Sequence, residues 1–341
     1  MAKLRAGIVG TGSIAGLGGR VHSHAGGFRF CEGVDLVAIA DINPERLDQF
    51  GEEWEIPPEQ RYGQAAEMYE KADLDIVDVT THNIHHHEPV IQAAEAGIKV
   101  VMVEKPLSVS VHLGKKMVDA CAQSGSRLVV DHTRRFVPAY RKLREMVKEG
   151  AVGEVRSIIF TGSRPLLHNG THTVDYAFYF TEAQPILVSG YLNDEPVADP
   201  GGGGMIICQG GPVIFINCIA TRRESYPSAE IAGTAGRIIF SDRPNFWYHG
   251  PMVEAKEAYG TRFDFKPIEM ESYEPERYFS FAARECVDCC LEDRESLSSG
   301  RDGLKALEVI TAIHISHKTG NQVSLPMDEA SEKMEILSTG E

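Results

Sequence analysis

The chain has 341 residues, 43% of them apolar and 24% charged, the proportions of an ordinary folded protein. Its formal net charge is −15, with lysines and arginines scattered among acidic residues, so neither nucleic acid nor an anionic membrane is an expected partner. No apolar run approaches the ~20 residues of a membrane span and the opening MAKLRAGIVG lacks a signal-peptide layout, so a cytoplasmic protein is expected.

The first strand, LRAGIV, runs into GTGSIAG, a GxGxxA pattern. In that pattern Gly10 makes a tight turn, Gly12 lets a pyrophosphate approach backbone N–H groups, and Ala15 permits close helix-on-strand packing. Gly10, Gly12, Ser13, Ile14 and Ala15 are therefore candidate dinucleotide contacts, with the phosphates expected on a helix N-terminus. The strand VDLVAIAD ends at Asp41, whose carboxylate can accept hydrogen bonds from an adenosine ribose diol and would repel a 2′-phosphate, favouring NAD over NADP. Asp41 lies further along than the usual ~20 residues, an excess that the glycine-rich GLGGRVHSHAGG absorbs.

A helix from Pro44 to Phe50, the strand LDIVDVT, a helix from Glu88 to Ala96, the strand IKVVMV, a helix over 111–124 and the strand RLVV follow. Runs of β-branched strands separated by helices predict a doubly wound parallel sheet, an α/β Rossmann domain spanning 1–130. The stretch TTHNIHHHEPV places four histidines in six positions after the third of these strands. His82 and His86 have the separation of helical metal ligands. They occupy a strand-to-helix turn, however, in which Pro89 suits the first helical turn and Asn83 can cap it. Thr81, Asn83 and His86 are accordingly read as the wall of a nicotinamide pocket, with no metal expected.

Beyond residue 130, a helix from Pro138 to Lys148 precedes EVRSIIF, ILVSGYL, GMIICQG, PVIFINCIA, SAEIAG and GRIIFSD, apolar segments that read as strands joined by short turns. An α+β domain over 131–341 is expected, with the Gly201–Gly204 run a flexible approach to a strand. Of seven cysteines, the cluster CVDCC (Cys286, Cys289, Cys290) has no second pair at metal-ligand spacing and is read as reduced core thiols.

AAEAGIKVVMVEKPLSVS, with Glu104-Lys105-Pro106, is followed in order by RRFVPAYRKLREMV, GTAGRIIF and SSGRDGLKALEVITA. Together with GxGxxA, Asn83 and His86, these motifs resemble those of the glucose-fructose oxidoreductase, inositol dehydrogenase and rhizopine catabolism (Gfo/Idh/MocA) family, over nearly the whole chain. The resemblance implies a second domain built on a large open, mainly antiparallel sheet, an active site between the two domains, and homodimers or homotetramers joined through exposed sheet faces. LLHNGTHTVDYAF is similar to the family's D-x-G-x-H-x-x-D segment, which puts His172 on the catalytic histidine and Asp175 on the final acid. His168 stands where relatives have an aspartate that assists proton transfer, so it is a third catalytic candidate beside Lys105 and His172. Glu104 and Lys105 join the cofactor contacts, and Arg135, Arg164, Asn169 and His172 are candidates to hold substrate.

The activity implied is an NAD(P)-dependent dehydrogenase oxidising a secondary alcohol of a sugar, cyclitol or sugar derivative. Lys105 would favour negative charge on the reacting oxygen and His172 would accept its proton. Two further readings share the fold: an oxidoreductase that keeps its cofactor and cycles two sugars, and a non-catalytic dinucleotide-binding sensor of a sugar pathway, which the change at His168 leaves open.

Overall fold

A computed structural model describes residues 3–337 except 222, 225–226, 243–244, 256–259, 273 and 275–276. Spatial contacts divide the chain into two compact units, Met1–Val137 with Ser272–Leu304, and Pro138–Glu271 with Lys305–Glu341. The single break expected near residue 130 therefore overlooks a return of the chain. The helix Ser280–Glu292 lays Ala282, Ala283, Cys286, Val287 and Cys289 into the core that holds Phe28 and Met102 of the first unit. Its apolar stripe marks it as a half-buried helix, but a stripe does not say which sheet it will cover.

In the first unit β1 (Leu4–Val9), β2 (Val34–Ala40), β3 (Arg61–Tyr62), β4 (Ile76–Val79), β5 (Val100–Val103) and β6 (Arg127–Val130) form one sheet in the order β3-β2-β1-β4-β5-β6. Every pairing is parallel. Successive side chains leave a strand on opposite faces, so Ile76 and Met102 join the core containing Phe28, while Val77, Val79, Val101 and Val103 join the one containing Met68 and Met117. Burial on both faces is why these strands are almost unbroken β-branched runs. The order reverses between β1 and β4, and such a reversal opens a crevice at the carboxyl ends of the strands.

One local expectation fails. No helix follows the glycine turn directly; residues 12–19 are turns, and the first helix is the short His24–Arg29, capped by Ser23. Gly16, Gly18 and Gly19 all have positive φ, which interrupts a right-handed helix, and Glu53 accepts the Gly18 and Gly19 N–H groups instead. The stretch expected to hold phosphates is thus a loop of turns and not a helix N-terminus.

The second unit contains β7 (Val155–Ser163), β8 (Pro185–Leu192), β9 (Gly202–Cys208), β10 (Val213–Ala220), β11 (Ser228–Gly233), β12 (Gly236–Ser241), β13 (Phe246–Glu254), β14 (Thr261–Phe263), β15 (Lys266–Pro267) and β16 (Val323–Ser324). They pair in the order β14-β13-β12-β11-β7-β10-β9-β8-β16, with β15 on β13. The pair β7–β10 is parallel and the others antiparallel. Gly202, Gly203 and Gly204 lie inside β9 and are no flexible approach: a Cβ on Gly203 would sit 2.0 Å from the Ile216 carbonyl oxygen. The helices Pro138–Lys148 and Gly170–Thr181 supply Tyr140, Tyr176 and Phe180 to an aromatic core completed by Phe160, Phe240 and Trp247 of the sheet.

All seven cysteines are free, and all but Cys290 are buried. Burial pushes the Cys121, Cys218 and Cys289 thiols up to about 12, which leaves them protonated and unreactive at neutral pH. Among the described residues no helix is long and apolar enough to cross a membrane.

Phe240 is fully buried, its ring stacked on Trp247 with centroids 5.0 Å apart and within 5.8 Å of Tyr140, Phe160 and Phe180. Phe240→Ala should destabilise the protein by about 3–5 kcal/mol, read as a lowered midpoint of denaturant unfolding. A midpoint equal to wild type would show that this cluster does not hold the second unit together.

Candidate active site

The carboxyl ends of β1 and β4 pass so closely that a Cβ on Gly10, which has φ +93°, would meet the Thr81 nitrogen at 2.9 Å. The Thr80 hydroxyl reinforces the approach by donating to the Gly10 carbonyl at 2.7 Å. At Gly12, by contrast, an added Cβ would meet nothing within 4 Å, leaving the space a backbone-bound phosphate needs. Ala15 is fully buried, whereas Ile14 beside it is exposed. Asp41 is tied inward: it accepts hydrogen bonds from the Thr11 N–H (2.7 Å) and hydroxyl (3.0 Å) and from the Asn43 N–H (2.8 Å). The Arg46 guanidinium is a fourth donor at 3.5 Å, so on a carboxylate with about four lone-pair sites a ribose diol would displace that long contact. Ile42, at 78% exposure, is a bare apolar surface next to it that the sequence reading overlooked, suited to an adenine face.

Further along this edge the Thr81 hydroxyl and both polar atoms of the Asn83 side chain are buried without a hydrogen-bond partner. Buried polar groups are nearly always paired, so these orphans, together with the open space at Gly12, fit a bound dinucleotide. Asn83 does not cap the following helix, contrary to expectation; it begins a 3-10 turn, and the helix His87–Glu95 has no side-chain cap. The histidines do not converge. His82 and His85 are exposed, His87 is half-buried and His86 is buried. His86 turns its ring nitrogens to the carbonyls of Pro106 (3.0 Å) and Thr81 (3.1 Å), and burial holds its pKa below the ordinary value. It therefore braces the Glu104-Lys105-Pro106 turn against the end of β4, and its nitrogens are not turned to a nicotinamide.

Lys105 is half-buried and its bond to Pro106 is cis. Glu104, one residue past β5, is buried and receives His24 Nε2 at 3.0 Å. Arg135 does not take up the substrate role expected of it: it is buried, donates to the Leu297 carbonyl at 2.8 Å and pairs with Asp302 at 3.2 Å, fastening the returning segment to the first unit.

In the second unit His172 lies in the first turn of the helix Gly170–Thr181, half-buried. Its Nδ1 is 2.9 Å from the hydroxyl of the fully buried Tyr176, and the two rings stack at 5.8 Å. His168 sits in a turn whose backbone is held by Asp199, which accepts the N–H groups of Leu167 (2.8 Å) and His168 (3.1 Å). Asn169 donates to the Arg164 carbonyl at 2.6 Å, and Arg164 pairs with Glu195. Both groups brace the turn, so neither is an uncommitted substrate ligand. Tyr176 and Asp199 escaped the sequence reading. Tyr176 lies four residues after His172, one helical turn, a spacing that could have revealed it.

Residues 4–132 match the family described as "Oxidoreductase family, NAD-binding Rossmann fold", GFO_IDH_MocA. This stretch carries the NAD-binding Rossmann fold of the Gfo/Idh/MocA oxidoreductase family. It is 27% identical to D-apiose dehydrogenase of Paraburkholderia graminis over 94% of this chain and 90% of that one. Identity to inositol 2-dehydrogenase of Azotobacter vinelandii is 35%, over 44% of this chain and 43% of the relative. Levoglucosan dehydrogenase, solved in complex with NADH and L-sorbose, has the same fold, with a TM-score of 0.81, 22% identity and coverage of 96% of this chain and 100% of that one. This oxidoreductase accordingly has an NAD-binding Rossmann fold over residues 4–132 of its first unit.

NAD should be preferred over NADP. A hydrogen bond to a charged group contributes ~1.5–3 kcal/mol, so loss of the Asp41–diol bond should change affinity at least about tenfold. Titration of wild type and Asp41→Ala with each dinucleotide checks this, and an unchanged NAD/NADP ratio in the variant would refute it.

Proposed function

We propose that this oxidoreductase is a dehydrogenase for a secondary alcohol of a sugar, cyclitol or sugar derivative, with Lys105 and His172 catalytic. The observation that carries the reading is the Tyr176–His172 bond, which fixes the imidazole at a half-exposed helix start. With Nδ1–H donated to the Tyr176 oxygen, Nε2 keeps the lone pair that a general base needs. Bound NAD supplies the hydride acceptor. His172 takes the hydroxyl proton on Nε2, and the Lys105 ammonium stabilises negative charge developing on the oxygen. Relatives named for apiose, inositol and levoglucosan support a polyhydroxylated substrate. His168, with its backbone fixed by Asp199, is suited to a second proton-transfer position.

The open face of the second sheet supports a homodimer or homotetramer. Ile159 on β7, Ile186 and Tyr191 on β8, Phe215 and Ile219 on β10, and Tyr248 and Met252 on β13 are all exposed. Ile159 and Phe215 are direct partners on neighbouring strands, and exposed apolar surface of this kind, where it is extensive, is ordinarily covered. Replacing Ile159 and Phe215 with Asp should yield monomers by light scattering; an unchanged mass would place any interface elsewhere.

General-base catalysis contributes ~10²–10⁴-fold. With a substrate found by screening sugars, inositols and their acids for NADH formation, His172→Ala should lower kcat by that order while NAD affinity stays nearly constant. Lys105→Ala should be as damaging. His168→Ala should lower kcat more than ~10-fold if His168 relays protons, and much less if it only packs. Near-normal turnover in both His172→Ala and Lys105→Ala would overturn the mechanism and favour a sensor.

A further inference from the structure

Beneath the Glu104-Lys105-Pro106 turn lies a sealed group of four ionisable side chains that the mechanism does not use directly. His24 opens the helix His24–Arg29, and its ring is completely inaccessible, covered by Phe279 at a centroid distance of 5.0 Å. Nδ1 meets Asp78 of β4 at 2.7 Å, while Nε2 meets Glu104, just past β5, at 3.0 Å and Asp131, just past β6, at 3.5 Å. One imidazole thus ties together the ends of three adjacent strands. The backbone brings it there: the His24 N–H bonds the Ile14 carbonyl and the Ala25 N–H the Ala15 carbonyl, so this anchor is continuous with the glycine turn.

We infer that His24 is a positioning residue for catalysis, a buried imidazolium that fixes the Glu104 carboxylate and through it the backbone from which Lys105 projects. Both ring nitrogens face carboxylate oxygens, which only accept, so each nitrogen must carry a hydrogen. A neutral ring would set one lone pair against a buried anion. The surroundings agree. Burial alone would lower the His24 pKa, but Asp78, Glu104 and Asp131 raise it well above normal. For Glu104, burial is outweighed by the His24 hydrogen bond and the Lys105 charge, which hold it ionised.

Burial pushes the Asp131 carboxyl up, towards its neutral form. Of the other titratable neighbours, Cys286, from the helix packed over this face, has its thiol raised by burial, and His86 and His132 are lowered by burial. Two cations, His24 and Lys105, thus face three buried carboxyl groups, of which Asp78 and Asp131 are both pushed up by burial. The same three side chains, His24, Glu104 and Asp131, have a geometry that could hold a divalent cation. The 2.7 and 3.0 Å contacts are ordinary charge-assisted hydrogen bonds and need no ion between them.

This inference rests on the reading of Lys105 as catalytic. Two conservative variants, His24→Gln and Asp78→Asn, remove one charge each while keeping side-chain volume. A misplacement of ~1 Å in a catalytic group can cost 10²-fold, so His24→Gln should lower kcat about 10- to 100-fold with unchanged circular dichroism and NAD affinity within about threefold. Asp78→Asn should lower kcat less, because an amide oxygen still accepts from Nδ1–H.

Nitrogen-15 NMR of the unaltered protein should show His24 with both ring nitrogens protonated at pH 7. A neutral ring, stoichiometric metal by elemental analysis, or wild-type kcat in His24→Gln would each overturn the inference. The two readings separate cleanly: if Lys105→Ala is inactive and His24→Gln is fully active, only the role of His24 falls. If Lys105→Ala is itself active, the mechanism falls first.

Discussion

The first unit depends on how closely two strand ends can pass. β1 and β4 are neighbours at the point where the sheet order reverses, and residue 10 must leave β1 without a side chain to avoid the backbone at Thr80 and Thr81. Once that approach is made, much of the dinucleotide edge follows from it. The Thr80 hydroxyl bonds the Gly10 carbonyl, the next residue presents its N–H and hydroxyl to Asp41, and the chain is led through turns past the open space at Gly12. The unsatisfied Thr81 and Asn83 groups lie just past the end of β4. A doubly buried parallel sheet has few places for polar side chains except its ends, so cofactor groups and the charged anchor around His24 gather on one edge.

In the second unit the controlling fact is that one face of the sheet is covered and the other is not. Alternation along β7 and β10 sends Ile158, Phe160, Ile214 and Ile216 into the core, and sends Ile159 and Phe215 outward. The helix carrying His172 lies on the covered side, its Tyr176 buried among Tyr140 and Phe160. The partner that orients the imidazole is thus itself locked by aromatic packing, the kind of support that holds a reacting group in place. The preceding turn is secured differently, by Asp199 accepting two consecutive backbone N–H groups.

Several parts of this architecture are visible in the chain before folding. The alternation of β-branched runs with helical stretches gives the parallel sheet, and the helix expected over 111–124 forms at Val111–Ser124, where the Ser110 hydroxyl caps it. Other readings fail for definable reasons. The helix expected after GxGxxA assumed that the motif's usual continuation applied, whereas the further glycines of GLGGR adopt positive φ. For Asn83 and Arg135, residue type and place in the chain leave more than one use open. An asparagine before a helix can cap or bind, and an arginine near a cleft can hold substrate or carbonyls. Only three-dimensional neighbours, respectively none and Leu297 with Asp302, distinguish these uses.

The sequence by itself determined the layers and the edge of the sheet that carries the glycine turn, because periodicity and short motifs are local and each residue's chemistry travels with it. The tertiary structure decided which distant groups share a proton or a carbonyl. His24 and Asp131 stand more than a hundred positions apart, Asp199 braces a turn some thirty residues before it, and the helix Ser280–Glu292 returns to a sheet that closed far earlier. Such pairings have no local signature, since a buried charge is tolerable only when a partner arrives from elsewhere in the chain, and that partner is chosen by packing.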